Sequence, residues 1–293
     1  MKKLLFLTSL ASMFCLVSFF ASCSEDENGG GSGNVPQSVL EAFRNQYGET
    51  RASWSVENGY AIAEFQNNGK ETTAWYTLAD ARWGMTETEI PYASLPKAVL
   101  SAIEASAYAQ WRPDETADML ERNGAETLYV VEMEDKGTEV DLYFTEDGVL
   151  VNEYVDSDGK ENDYSGYLPQ TPVSEIESWL AQNFPNARIV DMDVERNGTE
   201  VEIVDNGVKY EIWFDASSSW MQTKTEYDLR NIPDVVRNFV QTNYPDYRID
   251  DAEKYETSSN GIYYHIEIEQ GYQEKDIYLN AQGEEVERPT GIR

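Results

Sequence analysis

Phe184-Pro185-Asn186-Ala187-Arg188-Ile189 returns further along the chain as Tyr244-Pro245-Asp246-Tyr247-Arg248-Ile249. The step from Phe184 to Tyr244 equals the step from Arg188 to Arg248, and Tyr47 and Arg51 precede Phe184 and Arg188 by one shared interval. Agreement at fixed offsets marks an internal repeat. Ahead of each copy an apolar residue or Thr leads into proline and a helical pattern: Val35-Pro36, Leu95-Pro96, Thr171-Pro172 and Ile232-Pro233. The fixed φ of proline suits a first helical turn, where its missing N–H is not needed, so each marks a helix start. The apolar positions keep step as Val39 and Phe43, Val99 and Ile103, Ile176 and Leu180, and Val236 and Val240. The members of each pair are four apart, on one helix face. Val39 to Val99 is the same displacement as Ile176 to Val236, with a longer one between Val99 and Ile176. One unit is written four times, as a pair that is itself repeated.

Behind each helix the period switches to two. Leu128 to Met133, Val140 to Phe144, Lys209 to Phe214, Gly261 to Ile268 and Asp276 to Leu279 are rich in β-branched and aromatic residues and alternate, as strands do. Asn58-Gly59, Asn68-Gly69, Asp147-Gly148, Asn197-Gly198, Asn206-Gly207 and Gln282-Gly283 separate them with the positive φ of tight hairpins. A helix over four strands makes a thin core, so two units are expected to share one sheet. The fold class is α+β: two tandem domains, each of two helix-plus-four-strand antiparallel repeats with the helices on one face of the sheet. The expected domains are 35–156 and 171–293, joined by an acidic linker at 157–170.

Residues 1–22 hold Lys2 and Lys3, an apolar run from Leu4 to Phe20, and small residues before Cys23. That is the pattern of a secretory signal peptide, too short for a membrane span. Phe20-Ala21-Ser22-Cys23 resembles the lipobox of bacterial lipoproteins, with Phe20 where Leu is usual. The resemblance implies acylation of Cys23 and anchoring to the outer membrane of a Gram-negative bacterium, on its periplasmic face or at the cell surface. The tether, 23–34, carries Ser24-Glu25-Asp26-Glu27-Asn28, which resembles a surface-export signal and reads equally as solvated linker, and then a Gly/Ser stretch. Cys15 leaves with the signal, so no intrachain disulfide is expected.

The chain carries 22 basic against 54 acidic residues, a net charge of −32, and losing Lys2 and Lys3 makes it −34. Such a field repels phosphate backbones and anionic headgroups, which argues against nucleic acid and leaves the lipid anchor as the membrane contact. With 41% apolar residues and 19 Tyr, the chain still has the material for a core.

The helix, the Phe-Pro-x-x-x-Ile motif, and strands with aromatic pairs such as Trp213-Phe214, Tyr143-Phe144 or the related Tyr278-Leu279 ahead of a turn resemble the PepSY-like family, whose fold is similar to the β-lactamase-inhibitor protein. In the first two units the motif has decayed to Tyr47-Gly48-Glu49-Thr50-Arg51 and to the region of Trp111. The resemblance implies a non-enzymatic, extracytoplasmic binding or regulatory domain, and the likeness to an inhibitor is one of shape.

Catalytic signals are absent from the sequence. It has one histidine, His265, which reads as a solvated strand residue opposite Ile262, Tyr264, Ile266 and Ile268. No Gly-x-Ser-x-Gly elbow or phosphate-binding loop accompanies it. Paired carboxylates carry no information among so many acids. Alternation turns Tyr210, Ile212, Phe214, Val140, Leu142 and Phe144 toward the helices. It then places Trp213 and Tyr143, with Glu211, Asp215 and Asp141, on the outer face, joined by Tyr278 and Asp276. Tyr143, Trp213 and Tyr278 are then either anchors for a protein or peptide partner, or aromatics that stabilise the sheet by cross-strand packing or are buried between the two domains. A second reading makes the chain a Ca²⁺-responsive module that collects the cation on Asp156, Asp158, Glu161 and Asp163, although the spacing is not that of an EF-hand. Replacing Cys23 with Ser is expected to move the protein from the membrane to the soluble fraction and to abolish fatty-acid labelling.

Overall fold

The computed structural model describes residues 34–156, 164–227, 229–259 and 261–289, so Cys23 and most of its tether lie outside the described residues. Helix α1 (Gln37–Tyr47) is followed by β1 (Ala52–Glu57), β2 (Tyr60–Asn67), β3 (Lys70–Thr77) and β4 (Trp83–Pro91). Helix α2 (Lys97–Ala105) leads into β5 (Arg112–Pro113), β6 (Thr116–Arg122), β7 (Leu128–Asp135), β8 (Thr138–Thr145) and β9 (Leu150–Asp156). The second half repeats the plan with α3 (Ser174–Asn183), β10 (Arg188–Glu195), β11 (Gly198–Asp205), β12 (Val208–Asp215) and β13 (Trp220–Glu226). It closes with α4 (Asp234–Asn243), β14 (Arg248–Thr257), β15 (Gly261–Gln270), β16 (Gln273–Asn280) and β17 (Glu285–Val286). Among the described residues no helix is long and apolar enough to cross a membrane.

The prolines act one step earlier than their sequence suggests. Pro36, Pro96 and Pro233 are cap residues with ψ of 143°, 141° and 142°, outside the helical region. Their carbonyls accept the first helical bonds, from Val39 N and Val236 N at 3.0 Å for example. Helix α3 starts later still, at Ser174, capped by Val173.

Each half is one antiparallel sheet, in the order β1-β2-β3-β4-β6-β7-β8-β9 and β10 through β17, with β5 off the path against β7. The units of a pair join where β4 lies beside β6, from Met85 opposite Arg122 to Pro91 opposite Thr116, and where β13 lies beside β14. The fold is thus α+β with two tandem domains, as the repeat predicts.

The four apolar pairs are all buried. Val39 and Phe43 sit over Ala61, Ala63 and Ala74, a floor of small side chains that makes room for the Phe43 ring. Val99 and Ile103 cover Val131, Leu142 and Phe144. Ile176 and Leu180 cover Val201, Ile212 and Phe214, and Val236 and Val240 cover Ile266, Ile277 and Leu279. Burying each large side chain contributes about 1.5–3 kcal/mol, so these helices owe their stability to this contact.

The outer face departs from expectation. Tyr143 points away from the helices, as alternation requires, yet it is only 4% exposed. The segment read as linker folds back over it. Tyr164–Tyr167 forms a 3-10 turn, the Tyr167 ring stacks on Tyr143 at 4.8 Å, and Tyr164, 2% exposed, donates to Asp118 Oδ2 at 2.7 Å. Val190 and Val204 of the second sheet join the same cluster. The domains are also tied by Arg188, which pairs with Glu126 at 2.6 Å and Asp147 at 2.8 Å, and by Glu126 N donating to Ile189 O at 2.7 Å. A partner cannot reach Tyr143, because the turn already takes this aromatic patch out of water. Tyr143→Ala is expected to destabilise the fold by about 3 kcal/mol in urea unfolding, whereas Tyr272→Ala, at a fully exposed hairpin, stays within about 0.5 kcal/mol.

Candidate functional site

With the helix faces filled, the outer faces are where chemistry-bearing side chains collect. On the first sheet, outward-facing residues of β1 to β4 line a trough of about 1170 Å³. Ser53, Ser55, Ile62, Thr73, Trp75 and Tyr164 are among the residues that line it. Glu57, Glu64, Glu71, Glu87, Glu89, Asp118 and Glu132 line it against one cation, Arg51. Glu89 and Asp118 stand directly opposite each other on neighbouring strands, a costly like-charge pairing. Burial, and then the charge of Glu89, raises the pKa of Asp118, while the hydrogen bond from Tyr164 works against them.

The second sheet carries a charge ladder instead. Lys209 bridges Glu202 at 3.2 Å and Glu211 at 3.4 Å, and its Nζ also donates to Val151 O of the first sheet at 2.7 Å. Lys224 bridges Glu211 at 3.1 Å and Glu253 at 2.9 Å. His265 continues the row: Nδ1 meets Glu253 Oε2 at 2.9 Å, Nε2 meets Asp276 Oδ1 at 2.9 Å, and Tyr278 stacks on the ring at 4.7 Å. The hydrogen bond to Glu253 raises the His265 pKa against the opposing effect of burial, and Asp276 adds to the rise. Burial alone would raise Glu253, but hydrogen bonds from His265 and Lys224 hold it down at about 2. At the other end Glu200 is pushed up to about 7, first by burial and then by the charges of Glu211 and Glu202.

These positions revise several expectations. Alternation placed His265 on the correct face, but its side chain is 13% exposed and clamped between carboxylates, not solvated. Trp213 faces outward yet is 9% exposed, seated between Glu200 and Gln222 on the adjoining strands. Tyr278 remains partly accessible, so of the three expected anchors it alone stays at the surface. Asp156 ends β9, and Asp158, Glu161 and Asp163 lie outside the described residues. Sequence reading missed the trough, although its signal was present in the outward alternation of Ser53, Ser55 and Glu57 in β1 and of Ile62, Glu64 and Gln66 in β2. It also missed a groove of about 990 Å³ on the helix side of the second domain, lined by Trp179, Phe184, Tyr210, Trp220 and Tyr227.

Two stretches, residues 58–152 and 197–285, one in each sheet, match the family described as "Putative beta-lactamase-inhibitor-like, PepSY-like". The chain belongs to this family. A BLIP-like protein from Bacteroides fragilis is 35% identical over 45% of this chain and 95% of its own, with a TM-score of 0.40. A DUF2874 family protein from Bacteroides ovatus is 25% identical over 42% of this chain and 88% of its own, with a TM-score of 0.39. Another from Bacteroides uniformis is 24% identical over 41% of this chain and 89% of its own, again with a TM-score of 0.39. No curated protein sequence matches the PepSY-like chain.

Glu200 offers a test of the ladder. Its folded pKa of about 7 lies above the unfolded value of 4.5, so the fold holds the proton more tightly than the open chain. The associated stability is complete below the unfolded pKa and is lost as pH rises through about 7. Glu200→Gln is expected to raise the melting temperature by a few degrees at pH 8, equivalent to about 1–2 kcal/mol after solvent screening, and to change it little at pH 4.5. Melting curves at the two pH values check this.

Proposed function

We propose that this PepSY-like chain is a non-catalytic, lipid-anchored binding protein outside the cytoplasm, whose acidic trough on the first sheet receives a basic segment of a protein or peptide partner. The observation that carries the reading is the convergence of seven carboxylates and one guanidinium on a single concavity. Like charges gathered in one concavity raise the free energy of the empty face, and a cationic side chain entering the trough relieves that repulsion while the half-buried Ile62 offers apolar contact to its stem. The N-terminal leader, with Cys23 at its cleavage point, supports export and anchoring.

The reading moves the partner away from Tyr143 and Trp213, which are buried, and toward the carboxylates between β1 and β7. Cross-linking in the native envelope, followed by capture of the chain, tests it. The double variant Glu64→Lys/Glu87→Lys is expected to lose the cross-linked partner by at least tenfold, and capture of that partner by the unaltered chain should weaken as salt rises. Glu41→Lys, on helix α1, should capture as the unaltered chain does. Equal capture by the trough variant would overturn the proposal.

A further inference from the structure

The His265 end of the ladder has the construction of a metal site. A metal-binding imidazole typically donates one ring N–H to a carboxylate, which fixes the tautomer and turns the other nitrogen to the ion. Here Glu253 holds Nδ1 at 2.9 Å, and Glu253 is itself held by Lys224 at 2.9 Å and by the Tyr255 hydroxyl at 2.9 Å. Tyr278 fixes the plane of the ring from one side. Nε2 meets Asp276 Oδ1 at 2.9 Å, and an oxygen of Asp276, an oxygen of Glu267 and Nε2 all lie within 4.8 Å of one another, so a metal entering there takes the place of the proton between Nε2 and Asp276. A tetrahedral shell with bonds of about 2.0–2.2 Å needs donor atoms roughly 3.3–3.6 Å apart, a spacing that the exposed side chains of Asp276 and Glu267 reach by rotation.

An independent observation points the same way. Asp251, Glu267 and Asp276 stand abreast on three adjacent strands, Asp251 opposite Glu267 and Glu267 opposite Asp276. Like charges directly opposite one another destabilise a sheet. Elsewhere on this face lysines bridge the carboxylates, but among the described residues no lysine or arginine pairs with Asp251, Glu267 or Asp276.

We infer that His265 Nε2, Asp276 and Glu267 bind a divalent transition metal of the Zn²⁺ class, with Glu253 as the positioning residue and the remaining coordination positions open to water or to a donor from a partner. One imidazole among carboxylates selects such an ion over Ca²⁺, which collects oxygens alone. The site stands on its own geometry and does not depend on the trough of the first sheet.

Because the chain has one histidine, the imidazole nitrogen resonances of the untagged full-length protein report on His265 alone. Zn²⁺ titration in excess Mg²⁺, which occupies scattered surface carboxylates, is expected to shift the Nε2 resonance at one equivalent while Nδ1 stays protonated. Ca²⁺ should leave both unmoved. In Asp276→Asn/Glu267→Gln, both at exposed positions, the shift should need at least tenfold more Zn²⁺, and Glu253→Gln should weaken binding ten- to a hundredfold, the range known for such orienting residues. Melting curves confirm that each variant is folded. A Nε2 resonance that does not move with stoichiometric Zn²⁺, or that moves equally in the double variant, overturns the assignment.

Discussion

A short amphipathic helix can cover only one face of the meander that follows it, and the architecture follows from that limit. The helices span nine to eleven residues, too short to be stable alone in water, so each depends on the two buried side chains that dock it. One unit buries too little surface to offset its chain entropy. Joining β4 to β6 and β13 to β14 doubles the sheet without a new core layer and removes two exposed edges in each domain. The price is a second face, eight strands wide, that no helix reaches.

The two domains treat that face differently. In the first, Tyr143 is roofed by Tyr164 and Tyr167, and Arg122 is buried beneath the same turn with its guanidinium bound to Glu126 O at 2.9 and 2.6 Å. The part beyond the roof stays open as the acidic trough. In the second, Lys209, Lys224 and His265 are spaced between carboxylates so that most charges find a neighbour of opposite sign. A buried cation flanked by carboxylates contributes little net stability, since desolvation offsets much of the attraction, but it fixes where each side chain points. Fixed orientation is what a binding surface needs.

The helix face was legible in the sequence because it obeys one rule repeated four times. Val39, Val99, Ile176 and Val236 need only a period of 3.6 and a constant offset to be found, and the floor beneath them needs only a period of two. The outer face was half legible. Alternation correctly turned Tyr143, Trp213 and His265 away from the helices, but it says nothing about what lies beyond them. Tyr143 is covered by a turn from a segment whose acidic, Gly- and Ser-rich composition reads as linker, because Tyr164, Tyr167 and Leu168 are too few to make a periodic signal. His265 is clamped by Glu253 and Asp276 through strand register, which a single sequence does not reveal: Glu253 opposes His265 in the unbroken register that runs back from Thr257 opposite Gly261.

The duplicated arginine shows how copies of one unit acquire separate tasks. Arg248 stays within its own sheet, pairing with Asp250 and Glu269. Arg188, at the same place in the repeat, reaches across to Glu126 and Asp147 of the first domain and holds the two sheets together. The backbone under both is alike, with a strand that starts after the same Pro-containing turn and bulges soon after it begins. The difference is made by the surroundings: a neighbouring domain lies within reach of one copy and only solvent and its own sheet within reach of the other. By the same reasoning the helix face, forced to bury the same pair in every unit, has little freedom to diverge. Carboxylates, lysines and the lone histidine can be placed on the outer face without disturbing the docking of any helix, and that is where this chain has put them.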